Sequence, residues 1–140
     1  MYSMRVKSVM ERKKRLVAPP GTTVAKAAKL MAKKNVGAIM VVEKKKLVGI
    51  FTERDAVFRV VAEGRDVETT TIGEVMTVDP ICVDPDEIFG RALLLMHDNG
   101  FRHVPVVDKG EPIGIVSSRT ALDPEMEEFT AETQRRLSLR

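Results

Sequence analysis

The chain contains one cysteine, Cys82, no tryptophan and a single tyrosine among its 140 residues. One thiol excludes an intramolecular disulfide framework, and no Cys-x-x-Cys pair is present to hold a structural metal. The two histidines, His97 and His103, are not at the i, i+3 or i+4 spacing that brings two ligands to one helix face. No metal site is expected. No apolar run approaches the roughly 20 residues that cross a bilayer as a helix. The opening Met-Tyr-Ser-Met-Arg-Val-Lys lacks the apolar core of a secretory leader. The expectation is a soluble, cytoplasmic protein with no membrane partner.

An excess of charge of one sign is also missing. The net value is +3, with acids and bases interspersed, whereas nucleic-acid binders gather basic side chains on one face. The one basic run, Arg12-Lys13-Lys14-Arg15, reads as a solvated flank, so no nucleic-acid partner is expected. No nucleophile–base pair or phosphate-transfer loop is readable. The chain is therefore not expected to be an enzyme or to carry a catalytic cofactor.

What the sequence does contain is a duplication. Displaced by 65 residues, Pro20 falls on Pro85, Ala27 on Ala92, Leu30 on Leu95 and Met31 on Met96. Val41-Val42 falls on Val106-Val107, Gly49-Ile50 on Gly114-Ile115 and Arg54 on Arg119. The pairs Val9-Met10 and Val75-Met76 match at 66, so the first copy holds one extra residue before Pro20. Half a chain of this length buries little surface by itself, so the halves should pack on each other. The boundaries expected are 1–66, 67–122 and a C-terminal helix at 123–140.

Local pattern fills in each half. Val6–Met10 is a short amphipathic turn or helix, and Leu16–Ala18 a short strand stopped by Pro19-Pro20-Gly21. Thr22 or Thr23 caps a helix over Val24–Lys34 whose Val24, Ala27, Ala28 and Met31 share one face, and Asn35 ends it. Val36–Glu43 is an apolar, β-branched strand, Lys44-Lys45-Lys46 the turn, and Leu47–Phe51 the returning strand. A helix then carries Ala56, Val57, Val60 and Val61 and stops near Gly64, before a polar connector at Arg65–Thr71. The second half repeats the plan: Ile72–Met76 as opening turn, Ile81–Val83 as strand, and a helix near Asp86–Asn99. Strands follow near His103–Asp108 and Pro112–Val116, with a helix from Ser117. Asp123-Pro124-Glu125 should start a separate helix, with Arg135, Arg136 and Arg140 near its end and a thin apolar stripe of Met126, Phe129 and Leu137. That stripe is free to pack on its own module or on a second subunit.

The segment Lys46–Asp55 carries the chemistry. Strand runs straight into helix, with Thr52 at the cap and Asp55 three residues on. A plain capping box accounts for this spacing, yet a helix start also offers free N–H groups to an anion or a hydroxyl-rich ligand. Gly49, without a side chain, lets a bulky group come close to the strand.

The duplicated Gly-hydrophobic-hydrophobic-Thr/Ser-x-x-Asp signature, complete in Gly49-Ile50-Phe51-Thr52-Glu53-Arg54-Asp55, resembles that of the CBS domain, named after cystathionine β-synthase. Phe101-Arg102-His103-Val104-Pro105-Val106-Val107-Asp108 and Gly73-Glu74-Val75-Met76 support the resemblance, which covers roughly Val6–Leu122 as a tandem pair. It implies an α/β fold of the α+β type: two pseudo-symmetric β-α-β-β-α repeats packed through their sheets, with two clefts between them. Such pairs bind adenosine-containing ligands, among them AMP, ADP, ATP, S-adenosylmethionine or NAD-type molecules, and AMP is the foremost expectation here. Carried over, the main cleft takes Thr52, Arg54 and Asp55 from one half and Arg102 and His103 from the other. Ile81, Cys82 and Val83 form its adenine wall.

The second cleft would use Val17, Gly37, Ala38, Ser117 and Thr120. There Thr120 stands where the signature has Asp, and the loop Val36-Gly37-Ala38 offers no basic residue, so this cleft is expected to be weak or empty. The resemblance implies a regulatory adenine-nucleotide sensor, pairing as a homodimeric disk of four repeats and acting in trans on a protein partner that the sequence does not identify. The rival reading is a constitutive dimerisation scaffold with a vestigial site.

Overall fold

The computed structural model describes residues 2–11 and 15–138, with the backbone alone described for 121–130. The elements are α1 (Val6–Val9), β1 (Val17–Ala18), α2 (Val24–Lys34), β2 (Ala38–Glu43) and β3 (Lys46–Thr52). Then come α3 (Glu53–Asp55), which continues as a π-helical turn (Ala56–Val61), α4 (Ile72–Val75) and β4 (Thr77–Val78). The chain ends with α5 (Phe89–Asn99), β5 (His103–Asp108), β6 (Glu111–Ser117) and α6 (Ser118–Ser138).

One sheet has the order β1-β2-β3-β4, and β5 and β6 form the second. The duplication is exact in register: Ala38 pairs with Thr52 as His103 pairs with Ser117, and both hairpins are bulged after the first valine of the Val-Val pair. The hairpins meet at their turns, where Leu47 N–H donates to Gly110 O at 3.1 Å and Lys46 Nζ to Lys109 O at 2.6 Å.

Each half completes the core of the other. Ile72 and Val75 of α4 pack with Val24, Ala27, Ile39, Val41 and Phe51. Val6 and Met10 pack with Val83, Phe89, Val104, Val106 and Val116. The connector is equally well used: Val24 N–H donates to Thr70 O at 2.9 Å and Ala25 N–H to Val67 O at 3.0 Å, so it satisfies donors that the start of α2 would otherwise leave unpaired. Thr23 caps that helix by accepting from Lys26 N–H, and Asn35 ends it in the left-handed region.

Several expectations are corrected. Ile81–Val83 is not a strand; Val83 alone makes a parallel bridge to Val106, because Pro80 and Pro85 bracket the segment and cannot donate. The strand that does form nearby, β4, lies earlier and pairs with β3. α5 begins at Phe89 and not at Asp86, since Asp84 Oδ1 accepts from Asp86 N–H at 2.9 Å and holds the preceding residues in a turn. Asp123-Pro124 starts no new helix: α6 runs unbroken through it, Pro124 giving up a single backbone hydrogen bond in a helix already under way. Arg12, Lys13, Lys14 and Arg140 lie outside the described residues, as do the side chains of Met126 and Phe129, whereas Leu137 is exposed. Ala28 is exposed and faces a cleft, and Val57 and Val61 are exposed as well, since the helix loosens into its π turn.

The first hairpin turn is strained. Lys44 and Lys45 both have positive φ, 51° and 65°, and the corresponding Lys109-Gly110 turn places glycine at the second of these positions. A left-handed residue other than glycine costs about 1–2 kcal/mol. Lys45→Gly should therefore raise stability by roughly 1 kcal/mol in urea unfolding; an unchanged midpoint would show the turn to be unstrained.

Candidate functional site

The strand-to-helix corner is built the same way in both halves. Glu53 N–H donates to Gly37 O at 3.0 Å, and Ser118 N–H donates to Arg102 O at 3.0 Å. Each corner is thus tied to the loop ahead of the neighbouring strand. At the first, Asp55 Oδ2 accepts from Thr52 N–H at 2.9 Å and from Thr52 Oγ1 at 3.1 Å, closing a capping box. At the second, Thr120 Oγ1 accepts from Ser117 N–H at 3.1 Å. The structural role survives the change from Asp to Thr; the negative charge does not.

Asp55 is 6 % exposed. Its other oxygen, Oδ1, lies 3.5 Å from Arg59 Nε, one helical turn on. Arg59 in turn donates to Met76 O at 3.0 Å and to Val75 O at 3.3 Å. A carboxylate has about four lone-pair positions, so acceptor capacity remains for a diol. Arg59 was not singled out from the sequence; its i, i+4 spacing from the signature acid was the available signal. Its counterpart at an offset of 65 is Pro124, so the second half lacks both members of the pair.

A cavity of about 780 Å³ opens beside this corner. It brings together Thr52, Arg54, Asp55, Ile81, Arg102 and His103, six of the eight residues assigned to the main cleft. Cys82 and Val83 are not part of its lining. Val83 is 2 % exposed in the second core, and Cys82 turns its thiol to Pro80 O at 3.1 Å. Burial, with Asp79 adding to it, pushes that thiol's pKa up, which disfavours the thiolate, the nucleophilic form. Pro80 and Ile50 supply apolar wall instead, beside Thr77, and Phe58 carries Arg54 over its ring at 4.5 Å. Gly49 does not face this cavity. The group that approaches it is Met76, whose Sδ would lie 2.3 Å from an added Cβ.

A second cavity, about 570 Å³, includes Gly37, Ala38 and Ser117 but neither Val17 nor the buried Thr120. Its loop has no basic residue, as expected, but two guanidinium groups, Arg119 and Arg102, line the cavity from elsewhere, together with His103, Glu11 and Glu53. Among the described residues, neither Arg102 nor Arg119 has a carboxylate within ion-pair distance.

His103 sits where the two cavities adjoin. Burial holds its pKa below the ordinary 6.5; Glu53 pulls it upward, while Arg102 and Arg119 push it further down. A histidine that folds in its neutral form contributes stability above its unfolded pKa, and this is lost as pH falls from about 6.5 through the folded value. The melting temperature should therefore drop more between pH 7 and pH 5 in the native chain than in His103→Gln. Equal drops would place the acid sensitivity elsewhere.

Among the described residues no group of three or more His, Cys, Asp or Glu is placed to hold a metal ion. No helix among them is long and apolar enough to cross a membrane.

Comparison with known proteins agrees with this architecture. The family model for the CBS domain matches twice, at residues 6–62 and 72–124. The mitochondrial CBS domain-containing protein CBSX3 of Arabidopsis thaliana is 39 % identical over 118 residues, 81 % of this chain and 57 % of that protein. The chain thus spans little more than half the length of that relative. A CBS domain protein from Pyrobaculum aerophilum complexed with AMP superposes with a TM-score of 0.76 at 28 % identity, over 84 % of this chain and 89 % of the other. A CBS domain pair in complex with 5′-methylthioadenosine and S-adenosyl-L-methionine gives a TM-score of 0.76 at 29 % identity, over 84 % of this chain and 96 % of the other. Two matched repeats in register, packed through their sheets around paired cavities, make this chain a member of the CBS domain family, as a tandem pair.

Proposed function

We propose that the chain is a regulatory module which binds an adenosine-containing ligand, AMP foremost, in the 780 Å³ cleft. The observation that carries this reading is the lining of that one cleft by Asp55 and Thr52 from the first half and by Arg102 and His103 from the second. Asp55 accepts from the ribose hydroxyls, Arg102 meets the phosphate with its fork of donors, and Ile81 and Ile50 flank the base. The bound AMP and S-adenosyl-L-methionine of the two similar structures support the ligand class. The role is regulatory and not catalytic: ligand binding shifts the balance between arrangements of the two halves and acts in trans, in the cytoplasm, on a protein partner. Exposed Val61 on the π turn and Leu94 on α5, which line neither cavity, support pairing of two chains as a homodimer of four repeats.

The alternative is a constitutive dimerisation scaffold, favoured by the loss of the signature acid at Thr120. Calorimetric titration of the purified chain with AMP, ATP and NADH separates the two. The sensor gives saturable heat with at least one of them; the scaffold gives none with any.

A further inference from the structure

The two cavities have a wall in common. Glu53, Val57, Arg102 and His103 line both. Arg102 stands at the junction with no ion pair among the described residues, its own carbonyl pinned by Ser118 N–H at 3.0 Å. The wall is tightly filled: a Cβ on Gly37 would lie 3.0 Å from Glu53 Oε1 and 3.3 Å from His103 Cε1. Each cavity also has basic groups of its own, Arg54 and Arg59 in the larger and Arg119 in the smaller. The larger alone has the buried carboxylate.

From this arrangement we infer that the clefts are anticooperative toward phosphate-bearing adenosine ligands, because they draw on a single guanidinium, Arg102, across a shared wall. This rests on the reading of the larger cleft as the ligand site and adds the regulation of that site. A phosphate engaged by Arg102 in the larger cleft removes that cation from the smaller one and sets a like charge behind the shared wall. The smaller cleft is left with Arg119, so its affinity falls without vanishing. By reciprocity, a ligand in the smaller cleft weakens the larger by the same factor. An uncharged nucleoside makes no claim on Arg102, and the two clefts fill independently of one another.

The test uses backbone amide NMR of the full chain, with Gly100 reporting the larger cleft and Ala28, on α2 away from the shared wall, the smaller, since each lines one cavity only. With AMP, Gly100 should titrate first, and Ala28 should reach half-shift at about tenfold higher concentration in the native chain than in Asp55→Asn, the scale typical of coupled sites. Asn retains a capping side chain, so the variant keeps its fold. Arg102→Gln, a second variant, should abolish the effect of Asp55→Asn on the Ala28 midpoint, and adenosine should show none in either background. An Ala28 midpoint that is the same in native chain and Asp55→Asn, or an Ala28 that never shifts, overturns the coupling while leaving the ligand site standing. A Gly100 that ignores every adenosine ligand overturns both.

Discussion

Asp55→Ala should weaken AMP binding about a hundredfold. Two hydrogen bonds from a ribose diol to a carboxylate, at roughly 1.5 kcal/mol or more each, amount to about 3 kcal/mol, and each 1.4 kcal/mol is tenfold in affinity. The substitution also removes the acceptor of Thr52 N–H and leaves Arg59 facing an empty position, so stability should fall by about 1–2 kcal/mol, as for a lost cap. Asp55→Asn tells the two consequences apart. It keeps a cap and should retain most of the stability, but it lacks the charge and puts a donor where an acceptor is needed, so most of the affinity should still be lost. Calorimetry and urea unfolding on the same three proteins check both arms. Native affinity in Asp55→Ala would remove Asp55 from the ligand site.

Gly49→Ala is expected to be the more damaging change to the fold. A Cβ there would stand 2.3 Å from Met76 Sδ and 2.9 Å from the backbone oxygen of Thr77. The sulfur is able to swing aside; the carbonyl belongs to β4, which is hydrogen-bonded to β3 at this residue. Overpacking of this kind costs about 1–3 kcal/mol, and the backbone contact puts this site toward the upper end. Met76→Ala in the same background should recover only part of it. Gly114 has the equivalent neighbour in Met10, at 2.6 Å, and should behave alike. Gly21→Ala, with nothing within 4 Å of the new carbon, is the control and should be neutral or slightly stabilising. A Gly49→Ala protein as stable as that control would mean that Met76 does not seal the strand.

Glycine 49 also illustrates how far the sequence is legible. Its recurrence at 114 marks a place of close approach, but not what approaches. Tertiary packing supplies a methionine from the other repeat's opening turn, not a ligand. The hairpins, α2 and the Thr52–Asp55 corner were readable because hydrophobic period, cap and turn residues agree there. Cys82 and Val83 were misplaced for a different reason. Being apolar and next to Ile81, they suited a strand lining the cleft, whereas Pro80 and Pro85 leave only Val83 in the sheet and turn it into the core. The unbroken course of α6 was hidden by Asp123-Pro124, a good starting signal that is overridden once a helix is already running. Arg59 was missed although its i, i+4 spacing from Asp55 is local, whereas the reach of Arg102 and His103 into the second cleft depends on a proximity that only the fold creates. The exchange of opening turns between the halves is likewise a matter of long-range contact, invisible to local pattern.

The central claim is that one adenosine phosphate is held between the two halves, its diol on Asp55 and its phosphate on Arg102. A crystal structure of the chain grown with AMP tests it most directly. The account predicts AMP in the 780 Å³ cleft, with both ribose hydroxyls within hydrogen-bond distance of Asp55 and the phosphate against Arg102. AMP bound elsewhere, or bound there with its phosphate turned away from Arg102 and its ribose clear of Asp55, would contradict it.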